Sequence, residues 1–337
     1  MYIDVVIEPD YPKEVIEKVI QAEKIGFDNI FFTEVKHDPF ILLSLATTVT
    51  KNIGLGTSIA LAFTRSPMNL AYSSWDIQRL SNGRLILGLG SQVKPHIERR
   101  FGLTWDKPIN RMRETIESLR MIWKSWQENK RVNYEGEIYS FSLMPDFFNP
   151  GPNRNPEIDI YLAAVNNKMC MLVGELADGI MIHPFHSVNY IEENIIPNIT
   201  EGVKINNRSM KEISKCASIM TITGESQEEI EQLEMFARMQ IAFYGSTPTY
   251  REVLKIHGWE DIGHELTKLS RLNKWFEMPK LINDSMLEEF CVIANPNKIS
   301  STIKSKYKGL LDRVSLYIPF DGEVEWWSDV VKGFKQG

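Results

Sequence analysis

Cysteine is scarce in this sequence. Cys170, Cys216 and Cys291 are the three in 337 residues, and they stand far apart. Such spacing matches neither a disulfide framework nor the close pairs of a zinc site. His183 and His186 follow a predicted strand, but no cysteine or acidic partner stands at ligand spacing around them. The sequence therefore predicts isolated, reduced thiols and no bound metal.

Long apolar runs and blocks of basic residues are also missing. No apolar stretch approaches the roughly 18 residues that a membrane span requires. The first residues, MYIDVVIEPDYP, carry acids where a secretory signal would begin with bases. The formal net charge is −6, without the basic stripe that binding to a nucleic-acid backbone needs. These absences predict a cytoplasmic protein that binds neither membrane nor nucleic acid.

What the sequence does contain is a regular alternation of short apolar runs and helix-length stretches of 3.6-residue periodicity. Eight runs are predicted strands: 3–8, 29–34, 53–61, 84–91, 158–165, 178–185, 216–224 and 313–319. A closing helix is predicted from EVEWWSDVVKGF, which begins at Glu323. Eight strand–helix units with apolar strands favour a closed (β/α)8 barrel over an open sheet. Two separate domains are the alternative architecture.

Two segments interrupt this alternation. In residues 129–156, NYEGEIYSFS is typical of a hairpin and NPGPNRNP of a loop. Residues 245–308 are predicted to be mostly helical and irregular. The sequence thus predicts one barrel domain over residues 1–337, with insertions at about 129–156 and 245–308.

Polar residues gather at the predicted carboxyl ends of the strands, where a barrel of this class builds its active site. They are Glu8, Glu34, His37, Asp38, Ser58, Ser91, Gln92, His96, Asn166, Asn167, His183 and His186. We expect them to face one mouth, although each alone is equally typical of a solvated loop. Gly88 and Gly90 do not make a dinucleotide-binding fingerprint, because Val93 stands where that motif needs its third glycine.

Asn166 and Asn167 separate the predicted strand 158–165 from a helix that begins near Lys168. Free backbone N–H groups and the positive end of a helix dipole make such a place suitable for a phosphate. Asparagine also caps ordinary helices, so a simple cap is the alternative.

The chain resembles the bacterial luciferase-like flavin-dependent oxidoreductases over nearly its whole length. The resemblance rests on EKIGFDNIFFTEVKHDPF, GLGTSIALAFTRSPMNLAYSSWDIQRLSNGRLILGLGSQ and LVGELADGIMIHPF. KPHIERRFG and QIAFYGSTPTYREVL resemble a branch that depends on the deazaflavin coenzyme F420. The resemblance implies a (β/α)8 barrel, often a homodimer, that transfers hydride between a small organic substrate and the ring of FMN or F420.

Position by position, the resemblance implies that His37 and the Ser58–Ile59 backbone lie against the cofactor ring, the latter at a non-proline cis peptide. It places His96 where relatives have a polar residue in contact with the ring. We predict that His37 and His96 are catalytic, because each follows a strand end and a neutral imidazole can accept and donate a proton near pH 7. Cofactor binding is assigned to Ser58, Ile59, Ser91, Ala163, Ala164, Val165, Asn166, Asn167 and His183. Val93 replaces the carboxylate that sugar-phosphate dehydrogenases of the family carry, which argues against that substrate class.

The sequence leaves the chemistry open between FMN and F420. FMN would permit oxygen activation and a monooxygenase, whereas the deazaflavin would favour dehydrogenase or reductase chemistry. A non-catalytic flavin-binding barrel is a second hypothesis, because fold does not determine function. A cofactor-free lyase that uses the histidines alone is a third.

Overall fold

The structure, a computed structural model, describes residues 1–321 and 324–336. Glu323, where the closing helix was predicted to begin, lies outside the described residues. The strands are β1 (Tyr2–Ile7), β2 (Asn29–Phe32), β3 (Gly54–Thr57), β4 (Ala60–Leu61), β5 (Leu85–Gly90), β6 (Tyr134–Glu135), β7 (Ser140–Phe141), β8 (Asp159–Ala164), β9 (Gly179–Ile182), β10 (Ser214–Ile222), β11 (Cys291–Ile293) and β12 (Arg313–Tyr317).

Eight parallel strands close into a barrel in the order β1-β2-β3-β5-β8-β9-β10-β12, and β12 returns to β1. Closure is visible in the registers, since Tyr2 pairs with Arg313 and Gly179 with Ser214. β4 continues the line of β3 and pairs with the end of β5. The predicted (β/α)8 barrel is confirmed.

Helices follow the strands and cover the outside of the barrel. They are α1 (Glu14–Ile25), α2 (Pro39–Val49), α3 (Pro67–Leu80), α4 (Lys94–Arg99), α5 (Pro108–Gln127), α6 (Asn167–Leu176), α7 (Val188–Tyr190), α8 (Ile196–Ile205), α9 (Gln227–Gly245), α10 (Arg251–Lys255), α11 (Glu260–Arg271), α12 (Asp284–Phe290), α13 (Ile299–Lys306) and α14 (Val324–Lys335). In the described part of the chain, no helix is long and apolar enough to cross a membrane.

Alternation along the strands divides the buried residues into two sets. In β1, Ile3, Val5 and Ile7 face the helices and join the large core around the barrel. Asp4 and Val6 face the interior. A second apolar cluster fills that interior and consists of Phe31, Ile86, Tyr161, Met181 and Cys216. The barrel is therefore a packed core, and a ligand has room only at its ends.

The three cysteines are buried and free. Burial raises the pKa of the Cys170 and Cys291 thiols to about 12. Both therefore stay protonated near neutral pH and are poor nucleophiles. The predicted isolated thiols are confirmed.

The two segments outside the alternation differ from each other. In residues 129–156, β6 and β7 pair antiparallel with each other, as the hairpin pattern predicts. In residues 245–308, the helices α10 to α13 surround a short strand that the sequence pattern does not show. That strand, β11, extends the barrel sheet because Cys291 pairs in parallel with Met220 of β10.

Candidate active site

A half-buried apolar floor closes the carboxyl end of the barrel. Val6, Ile59 and Ala163 pack on the interior cluster from above while keeping part of their surface exposed. The Ser58–Ile59 peptide bond, which lies between β3 and β4, is cis, as the resemblance implies. The floor is apolar and partly exposed, so an apolar ring can cover it.

Gly88 and Gly90 keep this floor close-packed. A Cβ added to Gly90 would lie 2.5 Å from Cδ1 of Ile59, and one added to Gly88 would lie 1.9 Å from the carbonyl oxygen of Thr57. Neither position has room for a side chain. Strand packing at the floor therefore explains these glycines without a dinucleotide-binding motif.

The amino end of α6 borders the floor next to Ala163. The carbonyl oxygen of Asn166 accepts from the N–H groups of Met169 and Cys170, which starts the helix. Among the described residues, the Asn166 side chain makes no capping hydrogen bond. Asn166 and Asn167 are exposed. The first N–H groups of α6 thus face solvent at the mouth, where an anion can reach them.

Ala164 does not line the mouth with its side chain. It is 4% exposed and belongs to the outer core between barrel and helices. Adjacent residues of a strand face opposite sides, so Ala163 and Ala164 cannot both face the ring. Val165 is half-buried, and its carbonyl oxygen accepts from the Tyr190 hydroxyl at 3.0 Å.

His183 lies at the end of β9 between two tyrosine rings. Its ring centroid is 4.5 Å from that of Tyr244 and 4.7 Å from that of Tyr250. Nδ1 accepts from the N–H of Phe185 at 3.1 Å, which places the proton of the neutral ring on Nε2. Burial, with His186 nearby, lowers the pKa of His183 to about 3. His183 is therefore a neutral donor at the mouth.

His186 does not join the mouth, contrary to expectation. Its side chain is buried against Tyr307, with ring centroids 5.7 Å apart, and Nδ1–H donates to the His183 carbonyl oxygen at 2.7 Å. In the described part of the chain, no cluster of three His, Cys, Asp or Glu side chains could hold a metal ion.

Glu34 and Asp38, which were expected to face the mouth, are both engaged in ion pairs with Arg65. Nη1 of Arg65 lies 2.7 Å from Oε2 of Glu34, and Nη2 of Arg65 lies 2.7 Å from Oδ2 of Asp38. Glu34 also accepts from the N–H of Leu61 at 2.8 Å, which ties the loop after β2 to β4. These carboxylates hold the loops around the floor.

The two histidines assigned to catalysis lie at the rim. Nε2 of the half-buried His37 is 3.0 Å from the Asp10 carbonyl oxygen, and His96 is exposed on α4. Ser91 follows β5 directly and donates to the Gln92 carbonyl oxygen. The structure thus brings Ile59 and Ala163 together on the floor, with Ser58 in the cis peptide bond next to Ile59 and Asn167 at the start of α6.

Two cavities lie at this end of the barrel. One of about 70 Å³ is lined by Glu8, Pro9, Thr33, Val35, Lys36, His37 and Leu42. Since a water molecule occupies roughly 30 Å³ of liquid, this cavity is too small for a ring system. The other, of about 380 Å³, lies beyond the ends of β10 and β11 and is lined by Ile222, Ile230, Ile293, Ala294, Asn295, Lys298 and Thr302.

Three tyrosines at the mouth were missing from the sequence-based set. Tyr244 is the penultimate residue of α9, Tyr250 precedes α10 and Tyr317 ends β12. The hydroxyl oxygens of Tyr244 and Tyr317 are 2.7 Å apart. The segment QIAFYGSTPTYREVL, which carries Tyr244 and Tyr250, was a usable signal for two of them.

The chain belongs to the luciferase-like monooxygenase family, whose model matches residues 5–313. An uncharacterized protein of Mycobacterium tuberculosis is 40% identical over 306 residues, which cover 91% of this chain and 90% of that protein. The 5,10-methylenetetrahydromethanopterin reductase of Archaeoglobus fulgidus is 29% identical over 302 residues, or 87% of this chain and 86% of the reductase. The predicted family is confirmed.

The fold is shared by solved structures of other proteins, among them an F420-dependent reductase and an FMN-containing monooxygenase. The coenzyme F420-dependent tetrahydromethanopterin reductase from Methanopyrus kandleri has a TM-score of 0.77 at 21% identity and covers 98% of this chain and 96% of its own. The oxygenating constituent of 3,6-diketocamphane monooxygenase from Pseudomonas putida, in complex with FMN, has a TM-score of 0.69 at 15% identity. The match covers 98% of this chain and 96% of the monooxygenase chain.

Proposed function

We propose that this protein is an oxidoreductase that binds FMN or F420 at the barrel mouth and transfers hydride between the cofactor ring and a small organic substrate. One observation carries the proposal: the half-exposed apolar floor of Ile59 and Ala163 lies beside the solvent-facing amino end of α6. An aromatic ring needs an apolar surface, and a phosphate needs free N–H groups. This chain offers both side by side.

The residues present fit such a cofactor. Ser58, Ile59 and Ala163 would hold the ring, Ser91 would border it, and Asn167 with the Val165–Asn166 backbone would hold the phosphate end. Gly90 leaves room for Ile59 on the floor, since any side chain there would displace it. When bound, the cofactor would supply the atom that accepts or donates hydride.

The proton-handling groups proposed for this reaction are the histidines. His37 and His96, named on the resemblance, would act from the rim. His183 would donate a hydrogen bond from Nε2, because its Nδ1 already accepts from Phe185. The lowered pKa of His183 keeps it neutral over the physiological range, which suits a hydrogen-bond donor better than a general base.

The cofactor stays open between two candidates. F420 is favoured by the likeness to the methylenetetrahydromethanopterin reductase of Archaeoglobus fulgidus and to the F420-dependent tetrahydromethanopterin reductase of Methanopyrus kandleri. FMN is favoured by the family description as monooxygenases and by the FMN complex from Pseudomonas putida. We also propose that the chain is one domain with insertions at 129–156 and 245–308 and that it works as a homodimer.

The test is a titration of the purified protein with FMN and with F420, followed by absorbance under anaerobic and aerobic conditions. We expect one of them to bind and to change its redox state when an acceptable substrate is added. Oxygen-dependent turnover would identify a monooxygenase. Binding without turnover on any substrate would favour the non-catalytic flavin-binding alternative, and failure to bind either cofactor would overturn the proposal.

A further inference from the structure

The carboxyl-terminal half of α9 carries a stripe of exposed apolar side chains. Phe236, Met239 and Phe243 are 40%, 47% and 51% exposed, and they recur at the spacing of one helix face. Trp275, which is 44% exposed, lies beside this stripe with its ring centroid 6.4 Å from that of Phe243. We refer to these four residues as the α9 wall.

The α9 wall is continuous with the barrel mouth. The Phe236 ring stacks on Tyr317, whose side chain faces inward from the end of β12, with centroids 6.4 Å apart. Tyr244, one residue beyond Phe243, contacts His183 at the end of β9. The apolar stripe is therefore an extension of the mouth rather than a separate patch.

A polar pair lies where the wall meets the mouth. The Tyr244 and Tyr317 hydroxyls are 2.7 Å apart, and Gln240 Oε1 is 3.4 Å from the Tyr317 hydroxyl, a distance at which a hydrogen bond is weak. When Tyr317 donates to Tyr244, the Tyr244 proton is free to point outward. Burial raises the pKa of both phenols, so both keep their protons near neutral pH.

We propose that the substrate of this protein is an amphipathic compound whose extended apolar body lies on the α9 wall while a carbonyl or hydroxyl oxygen is held by the Tyr244–Tyr317 pair. This inference rests on the proposed function and specifies its substrate class. A small polar or highly charged substrate would leave the wall exposed to water and is not expected. The four apolar side chains would be specificity-determining, and the two tyrosines would position the reacting oxygen.

The test uses two probes that differ by one oxygen: acetylnaphthalene, a ketone on a fused aromatic body, and ethylnaphthalene. Equilibrium dialysis measures their affinity for the wild type, with and without cofactor, and for three variants. Phe243→Ala shortens the wall and Tyr244→Phe removes one hydroxyl. Phe147→Ala is the matched control, because Phe147 is 90% exposed in the 129–156 insertion.

We expect Phe243→Ala to weaken both probes by about tenfold, whereas Tyr244→Phe weakens only the ketone, by about fivefold. Phe147→Ala should bind both as the wild type does. Equal affinity of all variants for both probes would overturn the inference. Light scattering gives a second test of the inference. If Phe243→Ala dissociates a dimer while probe binding is unchanged, the α9 wall is a subunit interface and the inference is overturned.

Failure of the inference and failure of the proposed function are distinguishable. If FMN or F420 binds but neither probe does, the substrate class is wrong and the function stands. If the probes show the expected pattern but neither cofactor binds, the α9 wall and the Tyr244–Tyr317 pair bind the substrate, and the oxidoreductase proposal fails.

Discussion

The Nδ1–H of His186 donates a hydrogen bond to the backbone carbonyl oxygen of His183 over 2.7 Å. His183 in turn accepts from Phe185 with its own Nδ1, so the turn after β9 depends on two imidazoles in defined neutral tautomers. Burial lowers the pKa of His183 to about 3 and that of His186 to about 4, from an ordinary 6.5.

Acid should therefore destabilise the fold. The unfolded chain binds protons that the folded chain excludes, so this stabilisation is complete above about pH 6.5 and is lost as the pH falls through the folded pKa values. His186→Asn, which keeps an N–H donor, should flatten the pH dependence of the free energy of unfolding by at most about 1.4 kcal/mol per pH unit. Denaturant titrations between pH 7 and pH 4 measure this. His264→Asn, at an exposed histidine, is the control, and equal slopes for both variants would refute the prediction.

The interior ion pair of the barrel should be costly to break. Arg313 Nη2 lies 2.6 Å from Asp4 Oδ1, with side chains 11% and 0% exposed. Asp4→Asn leaves the Arg313 charge buried without its partner, and we expect a loss of about 3–5 kcal/mol of unfolding free energy at pH 8. Asp329→Asn, in the exposed pair with Lys332, should change little. Equal effects of the two substitutions would show that the interior pair is not stabilising.

The floor can be tested without altering any charge. Ala163→Leu replaces a methyl group with an isobutyl group on the surface where the ring is proposed to lie, and we expect cofactor affinity to fall by about tenfold or more. Ala163→Ser, which adds one oxygen atom, should bind nearly as the wild type does. Fluorescence titration measures both. A Leu variant that binds normally would place the ring elsewhere.

The rim histidines remain predictions of the family resemblance. If His37 transfers a proton in the reaction, His37→Ala should lower turnover by about 10²–10⁴-fold with cofactor affinity retained. His96→Ala is tested in the same assay. Wild-type turnover in both variants would remove these residues from the mechanism and leave His183 as the remaining histidine at the mouth.

The barrel was predictable because each of its eight strands is a periodic apolar run next to a helix-length stretch. β11 was not, since the three residues Cys291–Ile293 are too few to show a period and pair only because β10 extends beyond its neighbours. The Ser58–Ile59 cis peptide came from the family resemblance, not from any local rule.

The site was less predictable because strand ends do not determine side-chain direction. Glu34 and Asp38 follow β2 as expected, but both form ion pairs with Arg65, which lies just before α3. His186 lies three residues after His183 and turns into the core. Tyr317 belongs to an apolar strand, so the sequence predicts a core residue. Only the position of α9 shows that it lies at the mouth.

Cofactor binding at the start of α6 is tested by the affinity of Asn167→Glu for FMN and F420, because both cofactors carry a phosphate. Asn167 is the first residue of α6. At about 4 Å and an effective dielectric near 20, each unit of like charge costs at most roughly 4 kcal/mol, and half of that exceeds a tenfold loss in affinity. In the apo protein, the new carboxylate should stabilise α6 by about 0.3–1 kcal/mol, because negative charge is favourable at the amino end of a helix.

Gln227→Glu makes the same charge change at the first residue of α9 and serves as the control. We expect Asn167→Glu to melt no earlier than the wild type without cofactor and to bind either cofactor at least about tenfold more weakly. Wild-type affinity in the folded variant would show that the phosphate does not bind at the start of α6.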